Sequence, residues 1–346
     1  MATFAMQAMG CEVAALNTVH FSNHAGYRQL KGTRTSAQEI GDIYEGLCQS
    51  YLTDFDVLLS GYAPSAAAVE AVGKIAMDIQ QKAESKPGSF FWVLDPVMGD
   101  RGRIYVNEDV VPAYKNVLQH ADLILPNQFE TELLSGVKIT SLSILAEAIT
   151  ILHKTYKVPH IIVTSVQLPS ETPNSSDTLS LSLNTLSIIG STTRSDGSPR
   201  LFKVDVPALD CFFSGTGDMF AALTVARLRE AVFADDSPTP VRNVKSWISS
   251  DDVEATELPL AKATVKVLAS MHDVLERTMA ARIRELEGSS SLSNSLDGAN
   301  SNNLPDAEKQ KLDHLRETKA AEIRLVRNVG LLKNPITKFV ARPWSV

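Results

Sequence analysis

Gly215, Thr216, Gly217 and Asp218 lie inside the run CFFSGTGDMFAAL, residues 211–223. Neither glycine carries a Cβ, so the backbone N–H groups around them can approach an anion closely. From about Met219 the residue types favour a helix, and its positive N-terminal end would face that anion. Asp218, in the first turn, is placed to take a proton from an attacking hydroxyl. The chemistry suited to this set is phosphoryl transfer. The alternative is a plain helix start, because Thr and Asp both cap helices well.

Three further stretches carry residues of the same chemistry. DPVMGD sets Asp95 and Asp100 around Pro96 and Gly99. Two carboxylates near a polyphosphate suit Mg²⁺, held directly or through water; the alternative is a turn with solvated acids. PNQFE offers Asn127 and Glu130. Three residues apart on a starting helix they share a face, as metal–water ligands or as a capping arrangement. NTVHFSNHAGY (17–27) has neither helical nor strand periodicity. Its Phe21, Asn23, His24 and Tyr27 can flank a flat aromatic ligand, with Tyr62 at the end of LLSGY as a second stacking face or a core residue.

Elements must bring these stretches together. FDVLLSGY (55–62), FFWVLDPVMGD (90–100), ADLILPNQFE (121–130) and HIIVTSV (160–166) are strand-length, nearly all apolar, and end in small, polar or acidic residues. Such runs mark parallel strands covered on both faces. Helix-period stretches lie between them, at 65–85 and 143–156. The pattern predicts a three-layer α/β fold with a mostly parallel central sheet flanked by helices. In such sheets ligands bind beyond the carboxyl ends of the strands, where Tyr62, Asp95, Asp100, Asn127, Glu130, Thr164 and Ser165 all fall. An alternating pair, 178–193 and 201–209, precedes the GTGD helix, and helices are expected over 260–286 and 306–323. Residues 233–259 read as an exposed insertion and 288–306 as a disordered loop within one domain, 1–346, with a short strand near the end.

The bulk numbers narrow the function. With 33 Lys and Arg against 40 Asp and Glu, the net charge of −7 gives no electrostatic footprint for nucleic acid or an anionic membrane. No apolar run is long enough to span a bilayer, and no secretory leader pattern opens the sequence. Cys11, Cys48 and Cys211 have no metal or CxxC spacing and read as small buried hydrophobes.

Taken in order, NTVHFSNHAGY, LLSGY, DPVMGD, LPNQFE, IIVTS and FSGTGDMFAA resemble pyridoxal kinases of the ribokinase-like superfamily. The resemblance implies transfer of the ATP γ-phosphate to the 5′-hydroxymethyl group of pyridoxal, pyridoxine or pyridoxamine. It implies Asp218 as base, with Gly215, Thr216 and Gly217 as anion hole. Asp95, Asn127 and Glu130 would serve a Mg²⁺–phosphate cluster, with K⁺ as an auxiliary ion. Asp100 and Tyr105 would lie over ATP, Thr164 and Ser165 on its phosphates, and Phe213 beside the adenine. Val19, Phe21, His24 and Tyr62 would line the vitamer pocket. A homodimer in the cytoplasm, and also in the nucleus, goes with the same resemblance.

The sequence departs from the family pattern at three places. Ala25 replaces a hydroxyl residue beside the ring, and Leu125 replaces a threonine that helps the monovalent cation. MATFAMQAMG reads as the latter part of the family's first helix. The strand, ring-contacting serine and glycine turn that usually come before it are not found. The expectation is a shortened form, with a non-catalytic nucleotide- or vitamer-binding chain, or a hydroxymethylpyrimidine kinase, as the alternatives.

Overall fold

The computed structural model describes residues 1–166, 185–234, 236–293 and 305–344. Helix α1 (Ala2–Ala8) is followed by an antiparallel pair, β1 (Val19–Phe21) with β2 (Gly32–Arg34), and by α2 (Ala37–Gln49). Strands and helices then alternate: β3 (Val57–Ser60), α3 (Ala66–Lys82), β4 (Phe91–Leu94), and a small hairpin of β5 (Gly99–Asp100) and β6 (Arg103–Ile104). Next come α4 (Val110–Val117), β7 (Leu123–Ile124), α5 (Gln128–Ser135), α6 (Leu142–Tyr156) and β8 (His160–Val166). The chain continues through β9 (Thr185–Thr193), β10 (Pro199–Pro207), α7 (Thr216–Phe233), α8 (Pro259–Ser293), α9 (Asp306–Ala320), α10 (Val329–Lys333) and β11 (Arg342–Pro343).

One seven-stranded sheet runs β11-β10-β9-β8-β7-β4-β3. β3, β4, β7 and β8 pair in parallel, while β9, β10 and β11 join antiparallel. β10, twice reversed, points with the parallel set, so the sheet is mostly parallel as its apolar strands predict. β4 is buried along its whole length, which requires cover on both faces. On one face Trp92, Leu94 and Ile161 pack with residues of α3, α4 and α6, among them Ala76, Tyr114 and Ile149. On the other, Phe91, Val93 and Ile162 pack with Ala5 of α1, Met219 and Leu223 of α7, and Val267 of α8. β3 forms one edge, and among the described residues no strand pairs with its outer side.

Local sequence sets the helix starts. Ser36 and Glu39 close a capping box on α2, and the Ser65 and Ser141 side chains accept from Ala68 and Ile144 to start α3 and α6. The helices expected over 260–286 and 306–323 are α8 and α9.

Three expectations need correction. Residues 233–259 are not an exposed insertion throughout. Trp247 is buried and stacks on Phe91 at 4.1 Å between ring centroids. The buried Arg200 guanidinium donates to the carbonyls of Ser249 (2.9 Å) and Ser250 (2.5 Å). Acids and prolines hid the anchors, since a sparse aromatic gives no periodicity. The expected loop over 288–306 is helical through Ser293 in α8, and α9 takes over from Asp306; residues 294–304 of it lie outside the described residues. So does the stretch 178–184 of the expected alternating pair. The three cysteines are half-buried rather than buried.

Candidate active site

The candidate residues gather where the parallel strands end. Gly215, at φ +85°, is the N-cap of α7, a left-handed backbone that favours glycine. The amides of the first turn of α7 have no competing side-chain cap. Met1 packs its thioether against Gly215. Asp218 stands in the first turn of α7. Its residue is exposed, yet the protein around it pushes its carboxyl above the ordinary range, with the α-amino group of Met1 acting the other way.

Asp95 leaves the end of β4 and faces the cradle; a Cβ on Gly217 would lie 3.7 Å from its Oδ2. It is buried, and its carboxyl is pushed well up by desolvation and by the charges of Glu130 and Asp218. The structure thus brings three carboxylates, from β4, α5 and α7, to one place. Their mutual repulsion is relieved by protons or by a cation.

Asn127 and Glu130 turn out to be a capping box. Asn127 Oδ1 accepts the Glu130 amide (2.9 Å), and Glu130 Oε2 accepts the Asn127 amide (2.9 Å). Glu130 Oε1 also accepts the amides of Met98 (2.8 Å) and Gly99 (3.3 Å), while Asn127 Nδ2 donates to the Gly99 carbonyl (2.7 Å). One pair of side chains therefore starts α5 and fixes the DPVMGD turn. Burial nonetheless raises the Glu130 carboxyl to about 7, against the pull of these amides.

Asp100 and Tyr105 sit on the β5–β6 hairpin. Its turn is Arg101-Gly102, at φ +49° and +77°, the pair of left-handed residues that a tight two-residue hairpin requires. Asp100 Oδ1 accepts the Arg101 amide (2.8 Å), and the Tyr105 side chain is exposed. At the end of β8 the ladder with β9 is broken between Val163 and Val166, and Ser165 is left-handed at φ +55°. This bulge turns Ser165 out to solvent and leaves Thr164 half-buried, with the Thr164 amide bonded to the Pro126 carbonyl (2.9 Å).

The NTVHFSNHAGY stretch holds β1 and a single 3₁₀ turn, Ala25–Tyr27, capped by His24. Thr18 Oγ1 donates to the Tyr62 carbonyl (2.7 Å), tying this stretch to the end of β3. Val19 and Phe21 are half-buried, and Arg34 lies 5.4 Å from the Phe21 ring centroid. Phe213 is buried; the exposed ring is Phe212, which lines a cavity of about 480 Å³ with His24, Gly26, Ser214, Arg282 and His314. The sequence shows neither the Thr18–Tyr62 tie, whose only signal is its place in the loop, nor which of the adjacent Phe212 and Phe213 turns outward.

Comparison with known proteins agrees with this geometry. The phosphomethylpyrimidine kinase family model matches residues 53–251. The pyridoxal kinase of Ovis aries is 33% identical over 296 residues, covering 83% of this chain and 83% of that protein. The pyridoxal kinase of Homo sapiens is 37% identical over 234 residues, 65% of this chain and 70% of the other. The solved pyridoxal kinase from Leishmania donovani in complex with ADP and pyridoxamine superposes with a TM-score of 0.71 at 28% identity, covering 99% of this chain and 93% of that one. A glycine cradle on α7, carboxylates converging from three elements, a ligand-type loop tied to β3 and these likenesses agree: the chain belongs to the pyridoxal kinases of the ribokinase-like superfamily.

Proposed function

We propose that this chain transfers the γ-phosphate of ATP to the 5′-hydroxymethyl group of pyridoxal, pyridoxine or pyridoxamine. The observation that carries the reading is the meeting of Asp218, Asp95 and the Gly215–Gly217 cradle, with Ser214 sharing a cavity with His24 and Gly26 of the loop. In this reading Asp218 takes the hydroxymethyl proton as the 5′ oxygen bonds to the γ-phosphorus and the bond to the β-phosphate oxygen breaks. Its raised affinity for protons suits a base. The amides of the first α7 turn stabilise charge on the moving phosphoryl group, and Thr164 and Ser165 bind phosphates. The β5–β6 hairpin, with Asp100 and Tyr105, lies over ATP. Val19, Phe21, His24 and Tyr62 hold the ring.

The carboxylates fit a divalent cation, because the charges of Glu130 and Asp218 raise the proton affinity of the buried Asp95. Asp95 would hold Mg²⁺ directly. Asn127 and Glu130, already engaged by backbone groups, would act through water. The ion would neutralise phosphate charge. Leu125 is buried in the apolar layer, and its side chain offers no oxygen to K⁺. A cytoplasmic homodimer, with a nuclear pool, completes the proposal; sedimentation and cell fractionation test those two parts.

The matching family model is named for phosphomethylpyrimidine kinase, which favours a hydroxymethylpyrimidine as the second substrate to try. The test is a panel of the three vitamers and hydroxymethylpyrimidine with ATP and Mg²⁺. Vitamer phosphates formed at higher kcat/KM than the pyrimidine phosphate support the proposal. The reverse order assigns the site to the pyrimidine, and ATP binding without transfer to any of them leaves a non-catalytic binding chain.

A further inference from the structure

The substrate loop is held from a distance. Glu322, two residues beyond the end of α9, receives the Tyr27 hydroxyl on Oε1 at 2.9 Å. The same oxygen lies 3.3 Å from Nε2 of His24. Nδ1 of that ring accepts the Gly26 amide (3.1 Å), so the ring proton belongs on Nε2, aimed at Glu322. Nearby, His314 Nε2 donates to the Gly26 carbonyl (2.9 Å). Residues 24, 26 and 27 are thus each gripped from α9 or the turn that follows it.

The grip has a fixed base. The Arg324 amide donates to Thr278 Oγ1 (3.2 Å), and its guanidinium meets Glu285 at 2.6 Å, both on α8. The 480 Å³ cavity runs beside the grip from His24 to Ser214, next to the cradle. The loop's own bonds are local, such as Asn23 Nδ2 to the Gln29 carbonyl and the Lys31 amide to Ser22 Oγ, and its turn Ala25–Tyr27 is three residues long with no buried residue. Such a turn, with no buried residue to anchor it, opens more readily when it lacks an external hold.

We propose that Glu322 is a positioning residue for substrate binding, fixing His24 and Tyr27 so that the 19–27 loop presents one shape to the vitamer ring. This rests on the proposed function in that the loop must face the vitamer. The carboxylate touches no reacting atom, so its effect falls on vitamer binding. Glu322 is half-exposed, which keeps the effect moderate.

The test uses the full chain, with pyridoxal and ATP varied separately, in wild type, Glu322→Ala, Glu322→Gln, Tyr27→Phe and the double variant Tyr27→Phe/Glu322→Ala. Glu322→Ala should raise KM for pyridoxal about fivefold, with kcat and the ATP KM within about twofold. Glu322→Gln, which keeps an acceptor, should recover part of the loss. In the Tyr27→Phe background Glu322→Ala should cost less than it does alone. Hydrogen exchange over residues 22–28 reads the grip without turnover and should quicken about threefold or more in Glu322→Ala. An unchanged pyridoxal KM in an active enzyme overturns the inference, as does a parallel fall in kcat and rise in both KM values. Unchanged exchange over 22–28 overturns it whatever the kinetics. Absence of vitamer phosphorylation by wild type, with exchange quickened as expected, instead removes the proposed function and leaves the grip standing.

Discussion

Asp95 and Glu130 are both buried and both raised, yet their surroundings assign them different work. Glu130 has three backbone amides on its two oxygens, so its first task is to hold the DPVMGD turn against α5. Asp95 faces the cradle. Glu130→Gln keeps one acceptor and loses the charge; we expect urea unfolding to show a loss of about 1–3 kcal/mol, with a fall in kcat of less than about tenfold. Asp95→Asn should keep the fold and cut kcat by about a hundredfold or more at saturating ATP and Mg²⁺. The opposite ranking would place the metal role on Glu130. This division was half legible in the sequence. Asn127-Gln128-Phe129-Glu130 has the spacing of a capping box and of a ligand pair alike, and only coordinates show which amides the carboxylate meets.

At the scale of elements, the strands announced themselves because burial on both faces leaves a continuous apolar run, as in Phe91–Leu94. The bulge at Thr164 and Ser165 did not, since a left-handed serine leaves no mark on composition. Nor did the packing of 246–253, which depends on partners far away in sequence. Ser246 Oγ donates to Asp122 (2.5 Å), and its carbonyl accepts from His160 Nε2 (2.7 Å). Arg200 contributes most visibly, donating also to the carbonyls of Thr193 (3.2 Å) and Val253 (3.3 Å). Arg200→Met fills similar space but strands buried carbonyls; it should cost about 2–4 kcal/mol in urea unfolding. A change below about 1 kcal/mol would show that the segment does not depend on that guanidinium.

The whole molecule responds to pH through its interior. Burial lowers His153 and His160 to about 4 and raises Asp122 to about 6. In the unfolded chain these two histidines take up protons near pH 6.5 and in the folded chain only near 4, so the stability from burying them neutral is lost as pH falls through that window. Asp122 works in the opposite sense: its stability is present at low pH and is lost as pH rises from about 4 toward 6. The two effects partly cancel in the wild type, and a single variant separates them. His160→Asn removes one histidine's share, so its deficit against wild type should shrink by roughly 2–3 kcal/mol between pH 7 and pH 4. A constant deficit would mean that His160 titrates alike in the folded and unfolded chain. The architecture and the helix start at Gly215 could be read from the sequence, because both rest on local residue types. The hold of Glu322 on the 19–27 loop could not, because it spans 295 residues of sequence. The central claim is tested most directly by initial rates of phosphate transfer from γ-labelled ATP to pyridoxal, in wild type and Asp218→Asn side by side. We expect labelled pyridoxal 5′-phosphate from wild type, and a rate about 10² to 10⁴ lower from the variant with ATP binding retained. A folded wild type that labels no vitamer, or a variant within about tenfold of it, would contradict the account.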